Sequence, residues 1–89
     1  MLIVTTELIP EKTMVRTIGY VMGTSTTSKG SVHEQHELMN EARQKAIDSM
    51  VAQAGLKDAN AIVGMRIETS ATIDGSFEII VYGTAVIVE

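Results

Sequence analysis

Residues 60–73 read NAIVGMRIETSATI and residues 76–88 read SFEIIVYGTAVIV, with Asp74-Gly75 between them. Both runs are rich in Ile, Val, Thr, Tyr and Phe, the residues that fit a pleated surface. Asp-Gly suits a type I′ hairpin turn, so the runs are read as antiparallel partners. If the loop holds only those two residues, one face carries Ala61, Val63, Met65, Ile67, Ile80, Tyr82, Val86 and Val88. The opposite face then carries Ile62, Gly64, Phe77, Ile79, Val81, Gly83, Ala85 and Ile87. Both faces are apolar. Such a sheet needs a covering layer on each side.

Working outward, the chain offers one helix for that task. Ser31-Val32-His33-Glu34 has the form of a capping box, which starts a helix at Val32. Strong helix formers continue to Ala54, and Gly55 is read as the C′ stop. At the helical period, Leu38, Met39, Ala42, Ala46, Ile47, Met50, Val51 and Ala54 share one arc. Glu34, Glu37, Glu41, Gln44, Lys45 and Asp48 fall opposite. Ala42, Ala46 and Ala54 are small, as are Gly64, Gly83 and Ala85, so the helix is assigned to their face. The other face, with Val63, Met65, Ile67, Ile80, Tyr82 and Val86, is assigned to a neighbouring copy of the chain. A slip of one residue in register would exchange the two faces.

Upstream, Leu2–Thr5 reads as a short strand ending before Pro10, and Met14–Gly23 as a longer one. Gly19 marks a bulge, bend or close backbone approach within it. The expected fold is thus α+β. It is an antiparallel sheet of strands near 2–5, 14–23, 60–73 and 76–88, with one helix near 32–54 on one face. The 89 residues form a single domain, 1–89.

A chain this short buries roughly 60–65% of its unfolded surface, so supplements to the core are expected. Cysteine is absent, which excludes disulfides and the softest metal ligand, and leaves oligomerisation. A net charge of −4 argues against nucleic acid or an anionic membrane as partner. No apolar run approaches the ~18 residues of a membrane span, and the N-terminus lacks the features of a signal peptide. A cytoplasmic location is expected.

Several strings resemble one family. They are Ala42-Arg43 with Ala46, Met50 and Ala54, then Ala59-Asn60-Ala61-Ile62-Val63-Gly64-Met65-Arg66, then Tyr82-Gly83-Thr84-Ala85-Val86. In this order, from about Gly19 to the C-terminus, they resemble the YbjQ-like family, which carries a heavy-metal-binding label. The resemblance implies a small α+β unit assembled as a ring-like homo-pentamer. This chain departs in two places. Thr-Ser-Thr-Thr-Ser-Lys-Gly-Ser at 24–31 is shorter than the family's stretch before the helix, and Asp58 stands where the family has Gly.

For chemistry, His33, His36 and Glu37 share a helical face and could hold a divalent metal if a further ligand came from elsewhere. Read without a metal, they are a solvated helix start. The six methionines are placed as core packing rather than a Cu(I) site. Arg43 interrupts the apolar arc, which asks for a carboxylate partner, and Glu68 or Glu78 is expected to supply it. Ser31, Lys29 and the helix N-terminus could receive an anion, although the loop order is not that of a P-loop. No nucleophile, catalytic pair or cofactor motif emerges, so an enzyme is not the favoured expectation. The reading is a cytoplasmic, self-associating binding or scaffold protein. Metal capture is the alternative, and catalysis at subunit interfaces a weaker one.

Overall fold

The computed structural model describes residues 1–27, 32–72 and 75–89, with helix positions 32–35 described by backbone alone. The elements in chain order are β1 (Leu2–Ile3), β2 (Met14–Thr26), α1 (Val32–Leu56), β3 (Ala61–Ala71) and β4 (Phe77–Val88). One sheet contains all four strands in the order β1-β3-β4-β2. β2 and β3 flank β4 antiparallel, as the alternating runs require. β1 instead pairs parallel to β3, through Leu2↔Ala61 and Ile3↔Ile62. The sheet is therefore mixed rather than wholly antiparallel. β2 and α1 intervene between β1 and β3, so no tight turn dictates an antiparallel pairing there.

Helix α1 begins at Val32, as expected, and the capping-box side chains lie outside the described residues. It ends later than expected. Gly55 remains helical, and Asp58 takes the left-handed turn with φ of 62°. Ala59 N–H bonds Ala54 O at 3.1 Å and Asp58 N–H bonds Gly55 O at 3.0 Å, the two closing bonds of a Schellman cap. Ala54 and Ala59 both join the core, which supplies the apolar contact that accompanies such caps.

Ala42, Ala46, Met50 and Ala54 recur every four residues and are buried along one side of α1. They pack on Val21 of β2, Ile62 of β3, and Ile79, Val81 and Ala85 of β4. This is the face that the small-residue pattern assigned to the helix. The tightest approach is made by Gly23. A Cβ built there would lie 2.0 Å from Ala46 O and 2.8 Å from Met50 N. The helix backbone therefore rests directly on β2. Gln53 reinforces the dock by accepting a bond from Met22 N–H at 2.8 Å, on the outer edge of the sheet.

On the opposite face, the N-terminal segment covers the base of the sheet. Val4 and Ile9 pack with Met14 over Ala61, Val63, Val86 and Val88. The segment is fixed by Val4 N–H to Ile62 O at 2.9 Å and Gly64 N–H to Thr6 O at 2.8 Å. It turns at Ile9–Lys12, closed by Lys12 N–H to Ile9 O at 2.9 Å, with Pro10 at its favoured place in the turn. Val63 and Val86 are thus buried by the chain itself, where the sequence pointed to a neighbouring subunit.

Two irregularities set the register. Pairing between β3 and β4 closes at Ala71↔Phe77, one step from the pairing a two-residue loop would impose. Asp74 lies outside the described residues. Further along, Val63↔Thr84 is followed by Arg66↔Tyr82, so Gly64 and Met65 together oppose Gly83. Gly64 has φ of 64°, the left-handed residue that such a bulge needs. Together the two shifts leave Ile62 and all of β4 on the expected faces but reverse the outer half of β3. Met65 packs with the helix-side core, and Ile67, paired with Val81, follows it to that side. In β2 the pairing shifts between Thr17 and Gly19, which makes a bulge of the alternatives that Gly19 left open.

The molecule is long for its size. Its extents are 46 × 23 × 17 Å and its radius of gyration is 14.7 Å, against roughly 12 Å for a compact chain of this length. α1 overlies β2 and β4, so the outer half of β3 projects without a cover.

Candidate functional site

The bulge has a chemical consequence. Strict alternation from Ile62 would send residue 66 to the helix side, but the extra residue turns Arg66 to the outer face. There Arg66 Nη1 donates to Thr5 O and to Met65 O, both at 2.8 Å. The guanidinium is thereby held where Arg66 lines a groove of about 540 Å³ between the N-terminal segment and the sheet. Val63, Val86 and Met14 supply apolar lining, and Leu8 with Glu7 stands on the segment side. Thr17 and Thr84 add hydroxyls. Sequence reasoning missed this site because Arg66 reads as an ordinary charged strand residue until the bulge is known. The one available signal was Gly64 inside a strand pattern.

The metal candidates are arranged differently. His36 and Glu37 are exposed on α1, and the His33 side chain lies outside the described residues. Among the described residues, no group of three or more His, Cys, Asp or Glu could hold a metal ion. Arg43 is half-buried and donates from Nη2 to Asn40 Oδ1, one turn back on the same helix. Glu68 accepts a bond from the Tyr82 hydroxyl at 3.2 Å, and pairs in register with Ile80. Glu78 pairs with Thr26 at the end of the sheet. Both carboxylates stand on the face turned away from α1. Within one chain, the expected ion pair to Arg43 is therefore replaced by the local bond to Asn40.

The residues expected at a subunit interface divide three ways. Val63 and Val86 lie beneath the N-terminal segment, and Met65 and Ile67 turn to the helix side. Ile80 and Tyr82 remain on the outer face, joined by Met22, which pairs with Tyr82, and by Tyr20. This patch is open: Tyr20 is 74% exposed, Met22 40% and Tyr82 37%. Of the loop read as a possible anion site, 24–31, the part that holds Lys29 and Ser31 lies outside the described residues. Among the described residues, Ser25, Thr26, Glu41 and Lys45 border a smaller cavity of about 200 Å³.

The strings that carry the family resemblance have structural work. Asn60 Nδ2 donates to Val88 O and its Oδ1 accepts from Val88 N–H, each at 2.8 Å, extending the β3–β4 ladder by a side chain. Gly64 makes the bulge. At Gly83, a Cβ would lie 2.7 Å from Ile62 Cγ2 and 3.1 Å from Val63 O, so that position accepts only glycine without rearrangement.

Comparison with known proteins agrees with this geometry. Residues 29–89 match the YbjQ family, described as "Putative heavy-metal-binding". A UPF0145 protein of Shewanella frigidimarina is 39% identical over 101 aligned positions, covering 97% of this chain and 94% of its own. One from Vibrio parahaemolyticus is 41% identical, covering 97% and 96%. In Clostridium perfringens a third is 38% identical over 104 positions, covering 100% and 98%. Since this chain has 89 residues, these alignments leave at least a dozen positions of the relatives without a counterpart here. The crystal structure of a Pediococcus pentosaceus protein of unknown function, assigned to the DUF74 family, superposes with a TM-score of 0.78. It is 17% identical and covers 100% of this chain and 98% of its own, which shows the shared fold. The family's description names a metal, and the side chain of His33, which would join His36 and Glu37 in such a site, lies outside the described residues. By sequence over nearly its whole length, the chain belongs to the YbjQ-like family of UPF0145 proteins.

Proposed function

We infer that this protein is a self-associating binding or scaffold module of the cytoplasm, its partner being further copies of the same chain. The observation that carries the reading is the outer patch of exposed Tyr20, Met22 and Tyr82 beside half-buried Ile80. Contiguous aromatic and apolar residues on a sheet face mark a contact surface. The long axis and the outer half of β3 without a cover add to it, because both reduce the core that one small chain can bury alone. Five copies in a ring is the number that the family resemblance implies. Light scattering on untagged protein tests this, with an expected mass near five times the 9.6 kDa chain. Tyr20→Glu with Met22→Glu should lower that mass while leaving the circular dichroism spectrum intact. A folded wild-type monomer at micromolar concentration overturns the reading.

A second reading, metal capture through His33, His36 and Glu37, is favoured by the family's description. No helix among the described residues is long and apolar enough to cross a membrane.

A further inference from the structure

We propose that the groove headed by Arg66 is a binding site for a small organic monocarboxylate with an apolar body. Four features of the groove converge on that chemistry. Its volume of about 540 Å³ falls within the roughly 300–1,000 Å³ of small-molecule sites. Leu8, which is exposed, and half-buried Met14 give it apolar surface that rewards an apolar ligand, over a floor formed by the buried Val63 and Val86.

The third feature is how Arg66 is held. Nη1 is fastened by two main-chain carbonyls, Thr5 O and Met65 O, both neutral acceptors. The guanidinium is thus oriented without its charge being neutralised, and its remaining N–H donors can address a carboxylate in the forked geometry it favours. An arginine held in advance loses little freedom when the ligand arrives. The fourth is the bulge at Gly64–Met65, which is what turns Arg66 into the groove. Bulges are concentrated where a strand re-aims a side chain at a site.

Charge selects among anions. One arginine shares the groove with the carboxylate of Glu7, so a phosphate dianion meets one cation and one like charge. A monocarboxylate meets the same two groups with a single charge, so Arg66 can balance it against less repulsion from Glu7, and the Thr17 and Thr84 hydroxyls can complete its hydrogen bonds. The groove is formed within one chain, so the site does not rest on self-association.

The test is isotope-labelled NMR titration of the full chain with hexanoate, hexanamide and inorganic phosphate. Hexanoate should saturate and shift the amides of Val63, Thr84 and Val86. The neutral amide should bind about tenfold more weakly or worse, as expected for loss of a charged hydrogen-bond partner. Phosphate should shift the same amides little at equal concentration. Arg66→Gln should abolish saturable hexanoate binding, and Arg66→Lys should retain part of it. Because Arg66 also ties the N-terminal segment, Glu7→Gln serves as the variant that leaves those bonds intact, and it should tighten hexanoate binding. Equal binding of hexanoate and hexanamide overturns the proposal. So do shifts confined to other residues, absence of saturation, or unchanged affinity in both Arg66→Gln and Glu7→Gln.

Discussion

Replacing Gly23 by alanine adds one methyl group where helix and sheet touch backbone to backbone. The new Cβ would sit 2.0 Å from Ala46 O, 2.8 Å from Met50 N and 3.0 Å from Ala46 C, whereas ordinary contact begins near 3.4 Å. Relief from 2.0 to 3.4 Å requires a retreat of about 1.4 Å. None of the three atoms can swing away as a side chain would, so the whole middle of α1 must lift. Lifting it loosens Ala42, Ala46, Met50 and Ala54 from Val21, Ile79, Val81 and Ala85 at once. Overpacking in a core costs about 1–3 kcal/mol, and a rigid backbone neighbour places this case at about 3. A domain of this length holds roughly 4–13 kcal/mol in total. The expected fall in Tm is therefore about 12–24 °C. The assay is thermal and urea unfolding followed by circular dichroism, at one fixed protein concentration because association shifts apparent stability. Gly55→Ala is the matched control. It makes the same chemical change in the last turn of the helix, where nothing lies within 4 Å of the added Cβ. It should stabilise by about 0.5–1 kcal/mol. A Gly23→Ala protein within about 0.5 kcal/mol of wild type, the range of neutral surface changes, would refute the close-approach reasoning.

Asp58→Gly should stabilise the chain by about 1 kcal/mol in urea unfolding, because Asp58 carries a Cβ in the left-handed cap with φ of 62°. Unchanged or lower stability would mean that the Asp58 side chain contributes something the cap geometry does not show. Asn60→Ala removes both 2.8 Å bonds to Val88 and should cost about 2 kcal/mol at about 1 per bond. Hydrogen exchange at the β4 end should accelerate with it. For the metal reading, elemental analysis of untagged protein and of a His33→Ala/His36→Ala variant should differ in bound divalent metal. Equal content in the two ends that reading.

The sequence alone carried the local rules. Period-two runs specified β3 and β4, the apolar residues Ala42, Ala46, Met50 and Ala54 at every fourth position specified which side of α1 is buried, and Gly19 marked an irregularity in β2. Each of these depends only on neighbours along the chain. Apart from the helix end at Asp58, the departures arise where distant segments meet. The N-terminal segment takes the base of the outer face, β1 joins parallel to β3, and Gly23 rather than Gly64 receives the helix. The placement of Arg66 belongs to the same group. One bulge and one odd loop each shift pairing by a single residue, and with a side-chain period of two, each shift exchanges the faces beyond it. Alternation records only that a strand has two faces. Which face a residue occupies past a bulge is decided by the partner strand's hydrogen bonds, and those exist only in the folded sheet.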